Sequence, residues 1–137
     1  QHIQRLRVDG SEVIFVTADE VIFFSAMPGA LPLYAHLRDK LLAECPDTAL
    51  KVQRSQITFQ ARHGYAFVSL RRMKGCPKVF LIVSFGLFRR LDSPRIAAAA
   101  EPYPNRWTHH VVVSEAEQVD GELMGWLREA HDFALAK

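Results

Sequence analysis

Two adjacent histidines are the side chains of this 137-residue chain best suited to chemistry. His109 and His110 belong to the run Arg106-Trp107-Thr108-His109-His110-Val111, whose composition favours a β-strand. Imidazole suits acid–base catalysis and metal binding near neutral pH. Because successive strand residues point to opposite faces of a sheet, the two rings cannot chelate one ion. A metal site would need His63 or His131 and a carboxylate in addition.

The same strand divides its side chains between two faces. Trp107 and His109 share one face, where they either belong to the core or line a pocket under a closing helix; both alternatives stay open. Arg106, Thr108 and His110 share the other face. If the preceding hairpin joins the same sheet, its polar side adds two more residues. The predicted ligand-binding set is therefore Thr58, Arg62, Arg106, Thr108 and His110.

Donors of these types suit phosphate or carboxylate groups, and arginine can bind such groups in a bidentate fork. The alternative interpretation is an ordinary solvated sheet face. We assign no catalytic residue, no metal ligand and no cofactor from the sequence.

Basic residues are concentrated in the middle of the chain. Residues 50–110 contain eleven of the 17 Lys and Arg residues but only two of the 15 acidic residues, a net charge of +9. The flanks carry six basic and 13 acidic residues, a net charge of −7. A basic region of this kind attracts anions if its cations converge in space. If they are scattered around the rim of a sheet, they only solvate it.

Sequence motifs of known chemistry are missing. The chain has no glycine-rich phosphate loop, no zinc-protease motif and no nucleophile-elbow motif, which disfavours an enzyme. Its two cysteines, Cys45 and Cys76, are interpreted as free thiols of a cytoplasmic protein. No apolar run reaches the roughly 18–20 residues that span a bilayer, so we expect no membrane partner.

The elements that would position these residues begin with helices. Val13–Val16 favours a short strand, and Thr17 with Glu20 has the form of a capping box that starts a helix ending near Phe24. Apolar residues at spacings of three and four predict a second helix over Leu31–Cys45. We expect one domain over residues 1–137, with a core at 31–137 and residues 1–30 as an extension or short helix.

The second half changes to strand patterns. Alternation predicts strands over Ser55–Arg62 and Tyr65–Leu70, joined at His63-Gly64. Further strands are predicted at Val79–Phe85 and Arg106–Val113, while Arg95–Glu101 is left open between helix and strand. Ser114 with Glu117 predicts a second capping box before a closing helix. The fold class is therefore α+β. It is predicted to be a two-layer sandwich: a mainly antiparallel sheet of four or five strands with N-terminal and C-terminal helices packed on it.

Several segments carry a family resemblance: Ser55-Gln56-Ile57-Thr58-Phe59, Gly64-Tyr65-Ala66-Phe67-Val68, Arg106-Trp107-Thr108-His109-His110-Val111 and Trp126-Leu127-Arg128-Glu129-Ala130. In this order the segments resemble an uncharacterised, mainly bacterial domain-of-unknown-function family. Members are found alone or C-terminal to restriction-nuclease-like modules, and some are labelled predicted transport protein. The resemblance implies an accessory or binding domain and supplies no catalytic residues.

The sequence favours a non-enzymatic binding module for an anionic partner, either a nucleic acid or a phosphorylated small molecule. One alternative is a hydrolase that uses His109 or His110 as acid–base or metal ligand. A second alternative is a homo-oligomeric scaffold module, for which a homodimer is the simplest form.

Overall fold

The chain forms a six-stranded antiparallel sheet with helices on one of its faces. The computed structural model describes residues 3–8 and 12–137, and side chains from Phe15 onward. A separate hairpin pairs β1, Ile3–Val8, with β2, Glu12–Thr17, which agrees with the strand predicted at 13–16. The helices are α1 at Ala18–Phe23, α2 at Leu31–Glu44 and α3 at Gly121–Leu135.

The strands of the main sheet follow α2 in the chain. They are β3 at Ala49–Val52, β4 at Ile57–Gln60, β5 at Gly64–Ser69, β6 at Leu81–Leu87, β7 at Ile96–Tyr103 and β8 at Arg106–Val113. Their order across the sheet is β3-β4-β5-β6-β8-β7. The α+β class is confirmed. The predicted count of four or five strands is wrong, because the sheet has six.

The two strands at the edges explain the wrong count. β3 has four residues, too few for an alternating pattern to stand out in the sequence. β7 contains the run 97–100 of four alanines, and alanine favours helix. Pairing with β8 overrides that preference, because Ala98 lies opposite His110 and Ala100 opposite Thr108. The segment left open at residues 95–101 is therefore a strand.

The first capping box is confirmed and leads into a buried polar network. The Glu20 main-chain N–H donates to Thr17 Oγ1 at 3.2 Å, and the Thr17 N–H donates to Glu20 Oε1 at 2.8 Å. Arg38 on α2 lies 2.9 Å from the same carboxylate, and the Tyr34 hydroxyl donates to it. Arg38 Nη2 also donates to the Phe15 carbonyl at 2.6 Å. Four charged or polar groups thus join β2, α1 and α2.

The second capping box lies one residue later than predicted, at Glu115 and Gln118, and it opens a 3-10 turn and not α3. The Gln118 side chain accepts hydrogen bonds from the Ser114 and Glu115 main-chain N–H groups, which starts a single 3-10 turn at 116–118. α3 begins after that turn, where Asp120 Oδ1 accepts from the Leu123 N–H at 3.0 Å. A capping carboxylate suits the positive end of a helix. The sequence does contain the Ser-x-x-Glu pattern, but the Gln118 side chain accepts the main-chain hydrogen bonds that Glu117 was expected to accept.

The core lies on one face of the sheet. α3 crosses β5 and β6, and α2 packs against α3 and β2. Trp126 of α3 stacks on Phe85 of β6 with ring centroids 6.0 Å apart, and Tyr34 of α2 meets Phe59 of β4 at 6.5 Å. The described residues hold no helix with the length and hydropathy to cross a bilayer.

A β-bulge changes the direction of one side chain in this layer. The β4–β5 register shifts between Phe59 and Gln60, so that consecutive residues Tyr65 and Ala66 are both buried. Bulges re-aim side chains in this way. Tyr65 consequently reaches the helical layer, where its ring meets the His131 ring of α3 edge-on at 5.2 Å.

Candidate functional site

The face of the sheet away from the helices carries polar side chains on β3, β4, β6 and β8. One cross-strand row on this face consists of Lys51, Thr58, Phe67, Ser84, His110 and Ala98. We call the surface formed by this row, together with Thr108 beside it, the open face. The register confirms that Thr108 and His110 point away from the side of His109, which is fully buried.

Thr58 and Arg62 do not meet the predicted residues of β8. Two strands separate β4 from β8, so Thr58 and His110 lie roughly 14 Å apart at the usual strand spacing. Thr58 is buried, and its hydroxyl donates to Gln53 Oε1 at 3.1 Å. Arg62 is exposed in the turn between β4 and β5. The structure therefore brings Arg106, Trp107 and Thr108 together and leaves Thr58 and Arg62 elsewhere.

His110 forms a close contact with Ser84 at the centre of the open face. Ser84 Oγ lies 2.6 Å from His110 Nδ1. Burial and the nearby positive charge of Arg71 lower the pKa of His110, so its ring is neutral at pH 7. A hydroxyl beside a neutral imidazole is the start of a nucleophilic site.

Further groups for catalysis are missing around this pair. Within residues 15–137, Ser84 is the only side chain that His110 hydrogen-bonds, so no carboxylate orients the ring. Strands pair with β6 on both sides, so the main-chain N–H groups around Ser84 belong to the ladders and leave no oxyanion hole. The pair suits hydrogen bonding to a ligand better than acyl transfer.

His109 has a structural environment. Its ring stacks on Phe85 at 5.3 Å, and Nε2 accepts a hydrogen bond from the Leu91 N–H at 2.9 Å. Because Nε2 is an acceptor, the proton of the neutral ring lies on Nδ1, which has no hydrogen-bond partner among the described residues. Burial lowers the pKa of His109. His109 thus holds the loop after β6 and lines none of the described cavities.

Aromatic and basic side chains meet where β8 begins and α3 ends. A cavity of about 210 Å³ lies there, lined by Arg106, Trp107 and Thr108 of β8 and by Phe133 and Lys137. A second cavity of about 300 Å³ adjoins it and shares Arg106, Phe133 and Lys137. Neither lining contains Asp or Glu. We call this region the aromatic–cationic end; its members are Phe67, Phe88, Tyr103, Trp107, Phe133, Arg90, Arg106 and Lys137.

Cations lie against the rings of this region. The Arg90 guanidinium is 5.6 Å from the Trp107 ring centroid, and Lys137 Nζ is 5.2 Å from that of Phe133. Arg106 and Lys137 line the same two cavities, and burial together with the charge of Arg106 lowers the pKa of Lys137. Tyr103 is 65% exposed, a large aromatic surface in contact with solvent. An anion with a planar ring would find both counter-charge and stacking surface here.

A two-residue turn presents Tyr103 and Arg106 side by side. These residues are cross-strand partners, joined by Pro104 and Asn105. Asn105 has a φ of 62°, and proline followed by asparagine suits a turn that needs a left-handed third residue. The Asn105 N–H donates to the Glu101 carboxylate at 3.0 Å, which fixes the turn from the β7 side.

Several basic residues of the middle segment are neutralised by the last helix. Arg89 pairs with Glu129 at 2.8 Å, and Arg95 pairs with Asp120 at 2.9 Å and Glu122 at 3.0 Å. These pairs join the basic segment to the acidic C-terminal flank. Part of the charge difference between the middle of the chain and its flanks is therefore neutralised by ion pairs within the domain. No acidic residue stands in the row of the open face, where Lys51 lies at the edge and Arg71 near His110.

A third cavity, of about 390 Å³, lies along the edge strand β7 and the loop before it. Its lining includes Asp92 beside Arg90 and the alanine run of β7. No residue predicted to bind ligand lines it, and its mixed charge gives no preference for an anion.

The sequence analysis missed Phe133, Tyr103 and Ser84 as candidate site residues. Phe133 follows the apolar period of α3, and nothing in that period marks the end of the helix as a cavity wall. Tyr103 lies just beyond the segment 95–101, whose secondary structure was left open, so its place on β7 was not predicted. Ser84 lies in an apolar run, and only the register shows that it faces His110.

A scan of family models matches the chain over residues 22–134, to a domain of unknown function (DUF5655). The match begins within α1, earlier than the core predicted from residue 31, and extends almost to the end of α3. Neither a curated protein nor a solved structure matches the chain. Because the family model covers most of its length, the chain belongs to the DUF5655 family of domains of unknown function.

Proposed function

We propose that this domain is a non-enzymatic binding module for an anionic ligand with a planar ring. The observation that carries the proposal is the pair of adjoining cavities that share Arg106, Phe133 and Lys137 and have no acidic lining. A nucleotide, in which a sugar joins a phosphate to a nucleobase, has this chemistry, whether it is free or part of a nucleic acid.

The two parts of such a ligand would be bound differently. A base would stack on an aromatic surface such as Trp107 or Tyr103, which contributes roughly 1–3 kcal/mol per base. The phosphate would lie against Arg106, whose planar guanidinium can donate two hydrogen bonds to it. Thr108 adds a hydroxyl on the same cavity wall.

The hydrolase alternative has one observation in its favour, the contact between Ser84 and His110. It has less support than binding, because the imidazole has no orienting carboxylate in the described residues and His109 is fully buried. A binding surface can use the Ser84 hydroxyl and the His110 ring nitrogen without an orienting carboxylate or a second accessible histidine.

Titration with adenosine monophosphate and with a single-stranded oligonucleotide tests the proposal. The Trp126→Phe variant leaves Trp107 as the only tryptophan, so that its fluorescence reports the aromatic–cationic end directly. We expect binding at ~50 mM salt that weakens steeply towards ~200 mM. In the natural background, Trp107→Ala and Arg106→Ala should each weaken binding by roughly tenfold, as expected for a loss of about 1.4 kcal/mol.

Arg89→Ala is the matched control for Arg106→Ala, because it removes a cation that is already paired with Glu129. It should leave the affinity almost unchanged. No binding of either probe at the lower salt concentration, or binding that neither Trp107→Ala nor Arg106→Ala affects, would refute the proposed function.

A further inference from the structure

The aromatic–cationic end is continuous with the open face of the sheet. Phe67 belongs to both, since it stands in the outward row and also lines the 210 Å³ cavity. Thr108 also points outward from β8 and lines that cavity. A ligand bound in the cavity therefore has a path onto the sheet.

Gly64 has no side chain and so leaves room for the Phe67 ring on that path. A Cβ atom at Gly64 would come within 3.1 Å of two atoms of the Phe67 ring and of Thr58 Cγ2. The ring thus lies over the glycine beside Thr58, with one side half-exposed to solvent. A half-exposed aromatic ring in contact with its neighbours on a sheet is a ready stacking surface.

The open face offers cations without competing carboxylates. Lys51 is exposed at the β3 edge of the row, and Arg71 is exposed two residues after the end of β5, where its charge acts on His110. Between them Ser84 and the neutral His110 ring provide hydrogen-bonding groups. The paired arginines Arg89 and Arg95 lie against α3. Lys51 and Arg71 thus place positive charge on the side that no described helix covers.

The distances along this surface exceed one nucleotide. The row from β3 to β8 crosses four strand spacings, roughly 19 Å at 4.8 Å each, and the cavity lies beyond one end of the strands. A free nucleotide would occupy the cavity and leave Lys51 and Arg71 without a partner. A polymer of phosphates and bases would use both regions.

We propose that the ligand of this domain is a single-stranded nucleic acid. One base occupies the aromatic–cationic end, a neighbouring base stacks on Phe67, and the phosphates continue over the open face towards Arg71 and Lys51. This inference rests on the proposed function and specifies its ligand. Bases stacked on aromatic side chains with phosphates in a basic groove are the usual mode for single strands.

Fluorescence anisotropy with a labelled single strand of about 12 nucleotides, as DNA and as RNA, tests the inference. The test variant Lys51→Ala/Arg71→Ala removes the two cations of the open face. We expect at least a tenfold loss of affinity for the single strand and a salt slope that falls by about 1.4, about 0.7 for each lost phosphate contact. The affinity for adenosine monophosphate should not change.

The control variant Arg89→Ala/Arg128→Ala removes the same charge from the helical side, where both arginines pair with glutamates. It should retain most of the single-strand affinity, so that an effect of net charge alone is distinguished. A duplex of the same length should bind more weakly, because its bases cannot stack on Phe67.

Three results would overturn the inference and leave the proposed function intact: equal affinity for the mononucleotide and the single strand, equal affinity for the duplex, or equal losses in the two double variants. Displacement of the single strand by poly-glutamate, or a dimer in light scattering that Lys51→Ala/Arg71→Ala abolishes, would assign the open face to an acidic peptide or a second copy. If neither Trp107→Ala nor Arg106→Ala affects the binding of either probe, the proposed function itself fails.

Discussion

The basic side chains on the two faces of the sheet differ in their partners. On the helical side Arg38, Arg89 and Arg95 each meet at least one carboxylate within 3.0 Å. On the open face Lys51 and Arg71 stand in or beside a row without acidic residues. The strong charge split along the sequence therefore has two origins: part of it closes the domain, and the remainder faces solvent. Only that remainder can attract an anionic partner.

The two neighbouring histidines show the same division. His109 is fully buried on the helical side, and its Nε2 accepts from the Leu91 N–H. His110 is half-buried on the open face and contacts Ser84. The two residues are of the same type and are adjacent in the chain. The side of the strand decides which one is structural and which one is available to a ligand.

The largest effect that sharpens this comparison should come from Arg38→Ala. It leaves Glu20 buried without its counter-charge, and breaking such a pair costs about 3–5 kcal/mol of stability. Urea denaturation measures the loss, and Asp39→Ala, which removes the exposed partner of the same arginine, should cost under about 1 kcal/mol. Equal losses in the two variants would show that burial does not separate these pairs.

A smaller and pH-dependent effect is expected from His131→Asn. Burial opposes protonation of His131, but hydrogen bonds to Asp132 and Asp47 outweigh it and raise the pKa in the folded protein. The resulting stabilisation is present below the unfolded pKa of about 6.5 and is lost as pH rises through the higher folded value. The variant should therefore lose about 1 kcal/mol at acid pH and less in alkaline solution.

Unfolding of the natural chain and of His131→Asn at several pH values measures this difference. The comparison between the two proteins is needed because the lowered pKa values of His109 and His110 act with the opposite sign. A constant difference between pH 5 and pH 9, a range around the ordinary histidine pKa of about 6.5, would contradict an imidazolium held by two carboxylates.

The smallest effect compares Arg95, a partly buried arginine in ion pairs, with the exposed Arg71. Arg95→Ala removes contacts to Asp120, Glu122 and the Gln118 carbonyl, and we expect a loss of about 0.5–1 kcal/mol. Arg71→Ala should leave the stability unchanged within about 0.5 kcal/mol, since surface substitutions usually do. Thermal unfolding of both variants checks the pair. A larger loss for Arg71→Ala would show that the open face has a structural role instead.

Strand patterns were the most predictable part of the fold. The strand over Arg106–Val113 has the predicted bounds, because period-two alternation is strong there. The capping box at Thr17 and Glu20 was predicted because both partners lie within one turn. β7 was not predicted, because its alanines have no strand preference and its pairing with β8 decides the outcome.

The residues of the site could be predicted from the sequence only where they lie together on one strand. Arg106, Trp107 and Thr108 are consecutive, so that their meeting at one cavity follows from proximity in the chain. Phe133 reaches the same cavity from the end of α3, and the Arg95–Asp120 pair spans 25 residues. Such contacts depend on how the helix crosses the sheet. No local pattern encodes that crossing.

Both edges of the six-stranded sheet are built in a way that resists aggregation. The register of β7 shifts twice along the strand, and Pro102 has no N–H to offer a further strand. At the opposite edge β3 has only four residues, and Lys51 stands exposed in its middle. A short edge with a lysine is a common barrier to pairing between molecules. Lys51 would therefore also oppose strand pairing between molecules at the β3 edge, quite apart from any ligand.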